Sequence, residues 1–140
     1  ADSVGSRLTS GGHSAVIATD LGRVTSLVMD AAFGADLALI EANHDVDWLR
    51  DGPYPYALQN RILGDRGHLS NEASAEFAVS LAAAGTHTLL LAHLSPENNT
   101  PERARQTVSL ALSGLDASVT VAPRGQLSGP YGAEVFICSA

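Results

Sequence analysis

The chain has 140 residues, 45% of them hydrophobic and 16% charged, which is enough for one modest core and too few for two ordinary domains. Fifteen acidic against eight basic side chains give a formal charge of -7, which disfavours holding nucleic acid or an anionic membrane on a broad basic surface. Cys138 is the single cysteine, so a disulfide framework and a cysteine-rich zinc site are excluded; no apolar run approaches the roughly 20 residues needed to span a bilayer, and a signal peptide is not evident. A soluble chain, with the cytoplasm as its compartment, is the expectation.

Taken in order, Ser3 to Ser10 predicts a strand that leads through Gly11-Gly12 into the next. Val16-Ile17-Ala18 is a short buried strand that leaves through Thr19-Asp20-Leu21-Gly22, and Val24 to Phe33 reads as a short helix. Ala35 to Ile40 is a second strand running directly into Glu41, Asn43, His44 and Asp45. Helices are expected over Val46 to Arg50 and Tyr56 to Leu63, with Gly52-Pro53 as the break between them. Ser70 is an N-cap for a helix with Ala73, Phe77, Leu81 and Ala84 at helical spacing, ended by Gly85. Leu89 to Ala92 is a third buried strand ending at His93. Thr100-Pro101-Glu102 then supplies a cap, a proline at the first helical position and an acid in the first turn, ahead of Ala104, Val108, Ala111 and Leu112. Val119 to Val121 and Glu134 to Ile137 are late strands around the turn-rich stretch Pro123 to Gly132.

Strands alternating with helices argue for an α/β layered fold, in which ligands gather beyond the carboxyl ends of the strands. Asp20, the Glu41 to Asp45 group and His93 each follow a strand, so they are expected to converge on one sheet edge. Aspartate and histidine suit zinc, manganese or iron, which makes Asp20 and His93 candidate ligands. Taken singly, each is better explained by a turn cap or a carbonyl hydrogen bond. His68 follows Arg66-Gly67, where an imidazole can protonate a leaving oxygen while the arginine meets a phosphate; an exposed loop pair is an equal alternative. His44 with Asp45 reads first as a structural pair at a helix start, and His13 and His87 as structural residues. Ser70 lacks a nucleophile elbow, and no phosphate loop or dinucleotide fingerprint is present. Trp48, Tyr54 and Tyr56 can stack on a base but more often pack a helix junction.

Four segments, in order, carry a resemblance: Thr19-Asp20-Leu21-Gly22, Glu41-Ala42-Asn43-His44-Asp45, Asp65-Arg66-Gly67-His68-Leu69-Ser70-Asn71-Glu72 and Ala92-His93-Leu94-Ser95. Together they resemble the C-terminal half of metallo-β-lactamase-fold hydrolases, most closely the YycJ-like branch, over about Ala18 to Thr107. The resemblance implies that residues 1–140 supply roughly one half of an αββα sandwich, a mixed sheet with helices on one face. The N-terminal half, with its His-x-His-x-Asp-His motif, is absent from this sequence. It further implies a metal-dependent hydrolase, a phosphodiesterase or nuclease acting on nucleic acid in the parent protein, with two divalent ions, zinc or manganese. Asp20 and His93 would be the ligands on this segment and His68 the proton donor, with Arg66, His44, Asp45 and Glu41 touching substrate or bracing the ligands. The chain alone is then expected to be inactive and to hold no metal. The alternative is a stable non-catalytic fragment that self-associates through an uncovered sheet face.

Overall fold

The computed structural model describes residues 4–123, so the strand predicted over Glu134 to Ile137 and most of the turn-rich stretch before it lie outside the described residues. Two glycines at positive φ, Gly11 and Gly12, turn strand β1 (Val4–Ser10) back on β2 (His13–Thr19) as an antiparallel hairpin. From β2 onward the strands run parallel. Strand β3 (Leu37–Glu41) pairs with β2, β4 (Thr88–Ala92) with β3 and β5 (Ser118–Val121) with β4, giving the order β1-β2-β3-β4-β5 in one mixed sheet. β2 is longer than its apolar centre suggests, because hairpin pairing recruits His13, Ser14 and Ala15 whatever their own hydropathy.

The crossovers are helical: α1 (Ser26–Ala32), α2 (Val46–Asp51), α3 (Tyr56–Leu63), α4 (Asn71–Ala83) and α5 (Pro101–Ala111). Their starts carry the predicted chemistry. The Ser70 hydroxyl accepts from Ala73 N at 3.1 Å, and Thr100 accepts from Arg103 N at 3.1 Å ahead of Pro101. Each such cap is worth about 1 kcal/mol. On α5 the buried residues are Ala104 and Val108, continued by Leu112 at its C-cap, while Ala111 is exposed, so the apolar row follows the i, i+4 spacing alone.

Side chains alternate along each strand, and one set faces the helices. Val16, Ala18, Ala38, Ile40, Leu89 and Leu91 belong to the same core as Phe77, Ala78 and Leu81 of α4 and Ala104 and Val108 of α5. The opposite set contains Leu8, Ile17, Leu37 and Leu39, of which Leu8 is 63% and Ile17 41% exposed. A sheet with helices packed on one face therefore presents apolar side chains on the other. No helix among the described residues is long and apolar enough to cross a membrane.

Candidate metal centre and adjoining cleft

The carboxyl ends of β2, β3 and β4 are adjacent in the sheet, and each delivers a polar residue to the same place. Asp20 follows β2, Glu41 ends β3 and His93 follows β4. Asp20 and His93 have φ of 57° and 61°, the only non-glycine residues at positive φ among those described. For side chains bearing a Cβ this costs about 1–2 kcal/mol each, and such strain concentrates at functional positions.

Glu41 organises the group. Its carboxylate is fully buried and accepts from the backbone N–H groups of Leu21 at 3.3 Å and Leu69 at 3.1 Å through Oε2. Oε1 lies 2.9 Å from His68 Nδ1 and 3.1 Å from His93 Nδ1. His93 Nδ1 is also 3.5 Å from Asp20 Oδ1. An ionised carboxylate only accepts, so both Nδ1 atoms carry the hydrogen and each imidazole keeps its Nε2 lone pair for another partner.

Asp20, Glu41 and His68 present donor atoms within 4.8 Å of one another, a spacing that suits a metal ion. A carboxylate has about four lone-pair sites, and those of Glu41 are all engaged. Glu41 therefore positions the imidazoles, and Asp20, His68 and His93 retain free donor capacity. Oxygen and imidazole donors of this kind fit zinc, manganese or iron.

The backbone after β3 locks the three loops together. Asn43 N donates to Leu69 O at 2.9 Å and Asn71 N to His44 O at 2.8 Å on one side; Ser95 N donates to Asn43 O at 2.7 Å and Asp45 N to Asn98 O at 2.9 Å on the other. Asn71 and Asn99, both buried, exchange amide hydrogen bonds of 2.9 Å, and Asn99 Nδ2 donates to Ala42 O at 3.0 Å. The loops bearing His68 and His93 are thus tied to the segment that begins with Glu41.

The other predicted residues divide between site and scaffold. Arg66 lines a cleft beside His68. Asp45 caps α2 by accepting from Trp48 N at 3.0 Å and pairs with Arg103 at 3.0 Å. Burial opposes its ionisation, but the Trp48 N–H and the Arg103 guanidinium outweigh that and hold its carboxyl below the ordinary value. Trp48 carries the Arg103 guanidinium at 4.2 Å and Tyr56 that of Arg50 at 5.5 Å, so both rings brace helices, whereas Tyr54 lines the cleft. His13 and His87 lie at the opposite ends of the strands, 3.7 Å and 4.0 Å from the Asp36 carboxylate.

His44 is fully buried; its Nδ1 contacts Asn43 Oδ1 at 3.2 Å and its Nε2 has no hydrogen-bond partner among the described residues. Desolvation, helped by neighbouring His68, lowers its pKa to about 4. Between that value and the ordinary one near 6.5, the unfolded chain takes up a proton that the folded chain refuses. Stability should therefore be level above about pH 7 and fall as the pH drops towards 4, by about 3 kcal/mol at most from this residue. Urea midpoints of wild type and His44→Leu across that range check it: an equally steep fall in the variant would refute the assignment.

No family model matches the chain. Among curated proteins it is similar to the exodeoxyribonuclease WalJ of Streptococcus pneumoniae, at 44% identity over 106 residues, covering 76% of this chain and 39% of WalJ. It is similar also to the exodeoxyribonuclease YycJ of Bacillus anthracis, at 42% identity over 94 residues, covering 67% of this chain and 36% of YycJ. Two solved structures share its fold. The metallo-β-lactamase fold protein YhfI of Bacillus subtilis matches with a TM-score of 0.58 and 22% identity, over 86% of this chain and 41% of that one. Zinc-bound PqqB of Methylobacterium extorquens matches with a TM-score of 0.55 and 21% identity, over 87% of this chain and 39% of that one. The chain spans less than half the length of each of these proteins.

Proposed function

We propose, from its fold likeness to a metallo-β-lactamase fold protein and its 42–44% identity to WalJ and YycJ, that the chain is the C-terminal half of a metal-dependent nuclease that hydrolyses phosphodiester bonds in DNA. The observation that carries this reading is the buried Glu41 carboxylate, with His68 Nδ1 at 2.9 Å and His93 Nδ1 at 3.1 Å beside Asp20. Asp20 and His93 hold divalent metal, zinc or manganese, together with ligands from the rest of the parent protein. Bound metal supplies Lewis acidity, offsetting charge that develops on the phosphate and activating water. His68, positioned through Nδ1 and lining the cleft, takes up a proton on Nε2 and gives it to the leaving oxygen. Arg66 meets a phosphate oxygen in the same cleft.

The test is made on the full-length parent. Protein stripped by a chelator should cleave DNA only after zinc or manganese is restored, and Asp20→Ala should lose that restored cleavage. Metal-dependent cleavage undiminished by Asp20→Ala would sink the reading.

For the chain by itself, the exposure of Leu8 and Ile17 on the open sheet face favours self-association, with the rest of the fold as the surface's occupant in the parent. Light scattering on a dilute sample separates the two states, and a monomer with that face exposed would count against self-association.

A further inference from the structure

His93 follows β4 in a backbone conformation that a histidine seldom adopts, with φ at 61°. By strand alternation residue 93 would share the face of Leu89 and Leu91 and enter the helix-side core. The left-handed turn interrupts that alternation. The imidazole instead stays at the sheet edge, 46% exposed, with Nδ1 at 3.1 Å from Glu41 Oε1 and 3.5 Å from Asp20 Oδ1. Its use as a ligand therefore depends on what holds the turn, because strain of this kind persists only where the surroundings over-determine it.

Main-chain hydrogen bonds tie both sides of the turn to residues 42 and 43. Ala42 N donates to Ala92 O at 3.0 Å before it, and Ser95 N donates to Asn43 O at 2.7 Å after it. Any residues could make those two bonds. The turn itself is held by a side chain: Asn43 Nδ2 donates to the carbonyl of His93 at 2.8 Å. A carbonyl only accepts, so the Asn43 amide presents its NH2 to His93 and its Oδ1 to the other side, where His44 Nδ1 lies at 3.2 Å. His44 therefore carries its hydrogen on Nδ1 and fixes the amide from behind. Its ring is fully buried, which leaves that donor little room to move away.

We propose that Asn43 is a positioning residue for His93: its amide, oriented by His44, holds the His93 backbone in the left-handed conformation that brings the imidazole to the centre. The proposal rests on the reading of His93 as a metal ligand of the nuclease. Asn43 is the polar residue of the Glu41 to Asp45 group to which the resemblance gave no role.

The experiment uses the full-length protein, stripped of metal and isotopically labelled on histidine, and reads the amide to Hα coupling and the Cα shift of His93, which report φ. His93→Ala identifies the signal. In Asn43→Ala the coupling should move towards that of an extended residue, and zinc affinity, measured by competition with a chromogenic chelator, should fall about fivefold, the scale of one neutral hydrogen bond. Asn43→Asp keeps the size but sets an acceptor against an acceptor, so the coupling should stay displaced. Thr100→Ala removes the α5 cap at the far end of the same loop; it should lower the urea midpoint and leave the His93 coupling where it is. An unmoved coupling in Asn43→Ala, a normal one in Asn43→Asp, or an equal displacement in Thr100→Ala would overturn the proposal. The coupling is read without metal or turnover, so the two readings fail separately. A His93→Ala variant that binds zinc as tightly as wild type would refute His93 as a ligand, while the coupling in Asn43→Ala would still decide what holds its backbone.

Discussion

Gly22→Ala and Gly67→Ala should each lower stability by about 3 kcal/mol, the upper part of the range for overpacking a fitted contact, and should weaken metal binding in the parent by tenfold or more. Neither glycine has positive φ, so conformational freedom is not what the positions need. They need space. A Cβ on Gly22 would lie on the backbone carbonyl of Asp65, and one on Gly67 on the backbone carbonyl of Ile62. Backbone atoms cannot rotate out of the way as a side chain can, so at Gly22 the two loops must separate, and at Gly67 the loop must move off the end of α3. Gly22 stands two residues after Asp20, and Asp65 three before His68. The contact at Gly22 thus sets the distance between the loop that offers a carboxylate and the loop that offers an imidazole. Gly64→Ala is the control, since its Cβ would sit 3.3 Å from Asn60 O and needs only a small adjustment. Urea unfolding of the three variants decides the matter: losses no greater than that of Gly64→Ala would show that the loops are not in fitted contact.

These contacts also show what could be read from the sequence and what could not. The starts of α4 and α5 were legible because Ser70 and Thr100-Pro101 act on residues two or three positions away. The convergence of Asp20, Glu41 and His93 was legible because a parallel sheet sends its carboxyl ends to one side. The requirement for Gly22 and Gly67 was hidden, since it depends on which backbone passes within a few ångströms in space. The exchange of amide hydrogen bonds between Asn71 and Asn99 spans 28 residues and leaves no local signature. The place of Tyr54 and Arg61 in the cleft wall was obscured for the same reason: only the packing of α3 beside the His93 loop separates Tyr54 from Trp48 and Tyr56, whose rings serve arginines. Glu41 was visible as a polar residue at a strand end, and the resemblance implied that it touches substrate or braces the ligands, but not that one carboxylate holds both imidazoles.

That part makes Glu41 the residue whose two substitutions should separate stability from ligand competence. Glu41→Ala removes the acceptor for the Leu21 and Leu69 N–H groups, both in buried surroundings, and for the two Nδ1–H groups. Leaving buried donors without a partner, as in breaking a buried ion pair, costs about 3–5 kcal/mol, and urea unfolding should show a loss of that size. Glu41→Gln is different. The backbone N–H groups must donate, so the amide oxygen has to stay on their side and the amide NH2 must face the histidines. An imidazole can meet that donor by moving its hydrogen from Nδ1 to Nε2. The hydrogen-bond count is then largely kept, and the stability loss should stay near 1 kcal/mol, the scale of one exchanged hydrogen bond. The Nε2 lone pairs of His68 and His93, however, are used up by the hydrogens they gain. Metal affinity of the parent should fall by 10–100-fold, as when a group orienting a metal-bound histidine is lost. Nitrogen-15 shifts of the imidazoles distinguish the two tautomers directly. If Glu41→Gln left both rings protonated on Nδ1 and metal affinity intact, the carboxylate would be a structural acceptor only, and the orientation of the centre would have to come from elsewhere.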